Sequence, residues 1–353
     1  MSEIKLNQFD EWLKDDGPAA LVLKEQLMPV EGPDGVLFPA TFAASEDGTF
    51  KGGYNIDQFP DGSSVCLVDS VGSQANRIEP LFMKGEYAKL LPQIIIKAGN
   101  KEINLLEASH RAGDAIVRCS ELKDELQGAF KKVLEGDSED LARIAPTSLV
   151  FGVWDSRDTQ AKLPRLVDSK IRAYNIRKLT RSAQYVPSAD YIKENLLDEP
   201  TDKKTKDMYA VKGFVHVPAT ATHGGIIADG GIRRDATLHL AALRLLLTKD
   251  TETQVLQRYI LGLSLIAFTA KPSHYLRAGC NLVINPDQKR EMKIVHSDGR
   301  REDLTLSHQD ALTYAKMVAI EFKIAENRTI HFDKELAEAD LKETDEKKKK
   351  KTK

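Results

Sequence analysis

The sequence predicts an α+β fold built on an antiparallel sheet that carries several insertions. Three observations predict it. Apolar runs of strand length and stretches of helical period mix along the chain, without the regular alternation of a doubly wound parallel sheet. Turn-forming residues at Ala98-Gly99-Asn100 and Asp298-Gly299 separate pairs of short apolar runs, as hairpins require. The 353 residues are 41% hydrophobic and 29% charged, enough for one large domain or two ordinary ones.

The elements follow in order. Met1 to Asp16 is acidic and lacks the basic-then-apolar order of a signal peptide, so a cytoplasmic protein is expected. Ala19 to Val30 contains a strand pattern stopped at Pro29. Glu31 to Gly62 is rich in Gly, Pro and Asp and reads as a long loop. Val65 to Asp69 is a short apolar run. Val71, Ala75, Ile78 and Phe82 then recur at helical spacing, with Pro80 near the end of that helix. Gln93–Lys97 and Ile103–Glu107 read as strands, Asp114–Glu135 as a helix and Ser148–Trp154 as a buried strand. Lys162–Tyr185 is basic and mixed. Asp190–Met208 is polar without a clear period and reads as a mobile projection. Phe214–Val217 and Gly225–Ile232 are strand-like. Asp235–Leu247 reads as a helix with Asp235 as its cap, and Thr253–Thr269 as another. Leu282–Ile284, Met292–His296 and Asp303–Leu306 read as strands. Ser307–Ala325 closes the series as a helix, with Ser307 and Asp310 spaced as a capping box. The expected domains are an acidic segment (1–18), a main domain (19–332) with insertions near 31–62 and 185–210, and a disordered Lys/Glu-rich tail (333–353).

No apolar run is long enough to span a bilayer, so no membrane partner is expected. Cys66, Cys119 and Cys280 are too far apart and too few for a disulfide framework and read as reduced core thiols. Net charge is −2, yet the charge is unevenly spread. The first 60 residues hold eleven acids and four bases, whereas Arg143 to Arg181 holds nine bases and three acids. That stretch suits either a confined anion track or a solvated surface.

Enzyme signatures are missing: there is no Walker loop, GxGxxG, GxSxG or HExxH. His110, His216, His223 and His274 have no partner at metal-ligand spacing, and no metal or cofactor is expected. Asp155 and Asp158 flank Arg157, so they either serve a metal-assisted cleavage or hold that arginine. The polar clusters are more informative. Ser70, Ser73, Gln74 and Arg77 share one flank of the first helix and offer hydroxyl, amide and guanidinium donors to phosphate and ribose. His110 and Arg111 precede a predicted helix start near Asp114, whose free N–H groups suit an anion. Arg157, Lys162, Arg165, Arg172 and Arg181 repeat along the basic stretch. In HGGIIADGGIRRDA two Gly pairs precede Arg233 and Arg234; the glycines admit a ligand closely or mark a bulged strand. Jointly these clusters, rich in arginine, suit RNA held by its backbone.

The words SVGSQANRIEP, ASHRAGDAIVRCS, APTSLVFGVWDSRDTQAKLPRLVDSKIRAYN, LTRSAQY and HGGIIADGGIRRDA resemble the backbone subunit of type I-G (formerly I-U) CRISPR Cascade. That subunit belongs to the Cas-seven group of the RAMP superfamily. The resemblance runs from about Ala19 to Ile330. It implies an RRM-like (ferredoxin-like) palm with inserted finger and thumb elements. It further implies copies stacked head to tail on CRISPR RNA, a guide presented for pairing with target DNA, and contacts to other Cascade subunits. It places RNA contact on Gln74, Asn76, Arg77, His110, Arg111, Arg157, Lys162, Arg165, Arg233 and Arg234; Arg172 and Arg181 join them from the basic stretch. The thumb is expected within Tyr185–Met208. Such subunits are not nucleases in type I systems. Related type III subunits cut RNA with an aspartate, which leaves Asp155 and Asp158 as the alternative. A small-molecule enzyme using the Gly-Gly segment for a phosphorylated substrate, and a plain assembly scaffold, are the other classes.

Overall fold

The computed structural model describes residues 4–249, 252–271 and 273–351. Its centre is a nine-stranded sheet whose strand pairs are all antiparallel. The long strand Ala20–Pro29 lies beside Ile232–His239, then come Val167–Tyr174, Ser64–Asp69 and Ile56–Gln58. On its other edge Ala20–Pro29 pairs with Glu291–Val295 along its first half and with Cys280–Ile284 at its end.

Alternation assigns the two faces. Leu21, Leu23 and Leu27 point into the core from the long strand, and Val167, Ile171 and Ala173 do so from its second neighbour. Helices Val71–Ile78 and Thr253–Thr269 cover the part of that face that carries Leu21, Leu23 and Val167, and His308–Phe322 packs on the second of them. Leu27, Ile171 and Ala173 instead pack in a second cluster with Leu37, Tyr54 and Ile226. The opposite face is open and carries Lys24, Lys170, Arg172, Arg233 and Asp235, matched across the strands by register. No helix among the described residues is long and apolar enough to cross a membrane. All three cysteines are free and buried.

Several sequence expectations hold. The strand at 20–29, the helix at Thr253–Thr269 and the closing helix appear where periodicity places them. The capping box at Ser307 and Asp310 is complete: each side chain binds the other's backbone N–H.

Others are corrected. The expected strand over Ser148–Trp154 is a helix, Pro146–Phe151, followed by a two-residue strand, Val153–Trp154. Its residues are buried all round, so no period betrays it, and Pro146 at the first helical position was the available signal. The helix expected over Asp235–Leu247 starts late and is short: it spans Leu240–Leu243, and Asp235–His239 before it is the second half of strand Ile232–His239. A charged side chain, Arg234, occupies a core position there and hides the period-two pattern. Lys162–Tyr185 contains three strands, Lys162–Leu163, Val167–Tyr174 and Ile176–Tyr185. The helix expected over Asp114–Glu135 is interrupted between Ala115–Arg118 and Lys123–Leu134.

Ile176–Tyr185 and Val217–Ala228 form a two-stranded hairpin outside the main sheet. Between them stand turns and the helix Lys203–Lys212, pinned by Tyr191 and Tyr209 edge-on to Phe214. The expected projection at 185–210 is the outer part of this larger arm. The N-terminal segment packs against the body: Phe9, Trp12 and Leu13 are buried, and Asp10 forms a double hydrogen bond with Arg258. Where the sequence predicts a disordered tail, the structure describes a helix, Lys334–Lys351, with Arg118 bound to Asp340 and Lys334 to Glu338.

Candidate nucleic-acid interface

Five of the residues singled out from sequence line one furrow of about 750 Å³: Asn76, His110, Arg111, Lys162 and Arg165. They come from three separated words. Asn76 stands on helix Val71–Ile78, His110 and Arg111 on the turn 109–113, and Lys162 and Arg165 on the segment that follows the short strand Val153–Trp154. Ser109 and Ser156 add hydroxyls, and no carboxylate lies among the lining residues.

Trp154 lies in this furrow and is 56% exposed. A tryptophan at that exposure has not been spent on the core. The Lys162 ammonium sits 5.4 Å from the ring centroid, and the two residues are cross-strand partners. Gly152, at φ 77°, makes the adjacent turn; a Cβ there would lie 2.9 Å from Arg165 Cγ and 3.0 Å from the Leu163 carbonyl oxygen. Arg165 donates from Nε to the Phe151 carbonyl at 3.1 Å and has no carboxylate partner among the described residues. Its backbone is held and its guanidinium faces the furrow.

Arg111 plays another part. It is buried, ion-paired to Glu79 at 2.8 Å, and donates to Gly152 O and Asn76 Oδ1. Burial pushes Glu79 up to about 7 and pulls Arg111 down, each against the pull of its partner. Arg111 therefore ties the turn to the first helix and to Gly152, and shapes the furrow from beneath. The helix start expected at Asp114 is spent: the helix has four residues, and Asp114 itself accepts from Ile116 N.

Gln74 and Arg77, expected on an open donor flank, instead converge on Asp69. Gln74 Nε2 binds Asp69 Oδ2 at 2.7 Å, and Arg77 Nε binds the same oxygen at 3.2 Å. Ser73 and Arg277 complete the set at 2.9 and 2.7 Å. Gln74 is enclosed and cannot reach a strand, whereas Arg77 stays half-exposed. Arg277, some two hundred residues away in sequence, gave no signal.

The remaining expectations separate. Arg234 is buried at 1% exposure, ion-paired to Glu25 at 3.0 Å and bound to Ala270 O. It is a core strut, and the sequence reading of it as an RNA contact fails on burial. Arg172 and Arg233 are cross-strand neighbours on the open sheet face, away from the furrow. Asp235 and the hydroxyl and ring of Tyr174 hold Arg233. Arg181 stands exposed on the hairpin arm and Arg157 exposed on the loop beside Ser156. The first Gly pair serves the protein's own backbone. A Cβ at Gly224 would meet Leu179 O at 2.6 Å, and one at Gly225 would meet Leu37 O at 2.9 Å, in a hairpin with register shifts.

Asp155 and Asp158 do not clamp Arg157. Asp155 is buried and accepts from the Asp158 and Thr159 N–H groups and the Thr159 hydroxyl, which closes the loop. Asp158 faces Arg118 at 3.7 Å. Among the described residues no group of three or more His, Cys, Asp and Glu could hold a metal.

Residues 21–178 match the family model of CRISPR-associated protein GSU0053. The matched span contains the whole furrow, from Gly72 to Arg165. Arg181, Arg233, Arg234 and Arg277 fall outside it. No curated protein matches the chain. The family match supports a CRISPR-associated function and involvement with other CRISPR components.

Proposed function

We propose that this chain is a non-catalytic, RNA-binding backbone subunit of a CRISPR effector complex of the type I-G kind, with an RRM-like palm at its centre. The observation that carries the reading is the furrow. Three separated words meet there to present an exposed tryptophan, Lys162 and Arg165, with no carboxylate to repel a strand. That is the composition that grips single-stranded RNA by stacking and phosphate contact with little base reading. The family match supports the CRISPR setting.

In this reading copies stack head to tail along the guide, a contact that does not close on itself and ends with the RNA. The arm from Ile176 to Ala228 is the thumb. Sequence is read by pairing between the guide and target DNA, while the protein supplies shape and charge. The N-terminal acids Asp10, Glu11, Asp15 and Asp16 would meet the basic stretch of the next copy. Of these, Asp10 is bound to Arg258 and Glu11 to Lys14 within the chain, so Asp15 and Asp16 are left for that contact.

The test is assembly on RNA of graded length. Purified protein stripped of nucleic acid is mixed with RNA strands, and particle mass is read by mass photometry. Mass should rise in steps of one subunit as the strand lengthens, and Lys162→Glu with Arg165→Glu should abolish the series. Single-sized particles whatever the strand length, or stacking without RNA, would discard the proposal. A metal-dependent RNA cut lost in Asp155→Asn would restore the nuclease alternative.

A further inference from the structure

The other flank of helix Val71–Ile78 opens on a second cavity, of about 460 Å³, well within the size range of small-molecule sites. Its rim carries Arg77, Lys84 and Lys271, and among the described residues no carboxylate lines it. Lys84 and Lys271 are exposed and have no ion-pair partner among the described residues. Arg77 shares Asp69 with Arg277, so that hub holds two cations against one anion. Ile78, Leu81 and Ala270 make an apolar wall.

The back of the cavity is a chain of hydrogen bonds. Thr269 Oγ1 donates to Leu265 O at 2.7 Å and so accepts from His308 Nδ1 at 2.8 Å. That leaves His308 Nε2 to accept from the Tyr87 hydroxyl at 2.9 Å. Burial, with the positive charges of Arg290 and Lys271, holds His308 below the usual imidazole range. The wall is neutral and the field inside is positive.

We infer that this cavity binds one nucleotide carrying a terminal phosphate, with the phosphate among Arg77, Lys84 and Lys271 and the base against Ile78 and Leu81. Two lysines unpaired among the described residues stand beside Arg77, whose partner Asp69 is shared with Arg277 and lies outside the lining; they suit a monoester dianion better than the single charge of a diester. The dimensions suit one nucleotide and not a strand. This inference stands apart from the furrow, which lies across the helix. The nucleotide is either free or the end of an RNA chain, and the two share the same chemistry.

Equilibrium dialysis of the full chain against labelled uridine 5′-monophosphate should give saturable binding of one per chain. Uridine without phosphate should bind at least about tenfold more weakly, the loss of one charge-assisted contact. Lys84→Ala with Lys271→Ala should cost about as much, and both side chains are exposed, so the fold is retained. The double variant should keep its affinity for 5′-hydroxyl RNA, which tests the furrow separately. Displacement of the label by 5′-phosphorylated RNA but not by 5′-hydroxyl RNA would identify a strand end; displacement by neither would identify a free nucleotide. Displacement by both, unchanged binding in the double variant, or no saturable binding would overturn the inference.

Discussion

Trp154→Ala separates a residue used for folding from one used for binding. The residue is 56% exposed, and its one described ring contact is the Lys162 ammonium at 5.4 Å. An exposed cation–π contact is worth about 0.5–1 kcal/mol, so the folded state should lose little and melting should shift by a few degrees at most. A stacked base is worth about 1–3 kcal/mol by alanine substitution, which weakens RNA binding roughly 5- to 150-fold. The assay is fluorescence anisotropy with a short labelled RNA that takes a single copy, at fixed ionic strength. Trp154→Phe keeps a π-face and should recover most of the loss. Wild-type affinity in the alanine variant would show that no base rests on the ring. A large fall in melting temperature would show that the exposed ring serves the fold instead.

Lys162→Ala and Arg165→Ala should each weaken RNA binding and flatten its dependence on log salt by about 0.7, the slope for one phosphate of a single strand; an unchanged slope removes that residue from phosphate contact. Asp69→Ala strips Arg77, Arg277 and Gln74 of their common partner at a fully buried point, and urea unfolding should register a loss of about 3–5 kcal/mol. Arg234→Met leaves Glu25 buried with only Arg290 near it, at 3.4 Å, and should destabilise by a similar amount of about 3–5 kcal/mol, while RNA affinity per folded molecule stays as in the wild type. His308 has a folded pKa depressed below its unfolded value of 6.5, so the unfolded chain takes up the proton first. Its stabilising contribution is complete above 6.5 and is lost as pH falls from there through the folded value; His308→Gln should remove that part of the pH profile in urea titrations between pH 7.5 and pH 5.

What could be read before folding followed from how each residue spends its side chain. The strand at 20–29 and the helix at 253–269 were legible because their core positions are apolar at a constant period. Strand 232–239 was not, because its core position 234 is an arginine neutralised by Glu25, a partner two hundred residues earlier. The same long-range pairing limited the site. Arginines in a word look alike: Arg165, Arg111 and Arg234 have the same charge in the sequence, yet one faces a furrow, one ties loops beneath it and one is a core strut. Only the position of a carboxylate tells them apart, and that position is a property of the fold.

The one strong furrow residue that sequence reading passed over, Trp154, was hidden for a related reason. Its segment, SLVFGVW, is apolar enough to be taken as wholly buried. In the folded chain Gly152 turns the backbone sharply after Phe151, and the last residue of the run emerges. A Cβ at position 152 would collide with Arg165 and with the Leu163 carbonyl, so one glycine brings together the exposed ring and the cation beside it. The furrow therefore depends on a backbone conformation that an L side chain strains to adopt. Gly152→Ala is thus a test of geometry alone. It removes no charge and no ring, yet it should displace Arg165 and weaken RNA binding as much as Arg165→Ala does. If affinity survives that substitution, the furrow's shape is not what holds the strand.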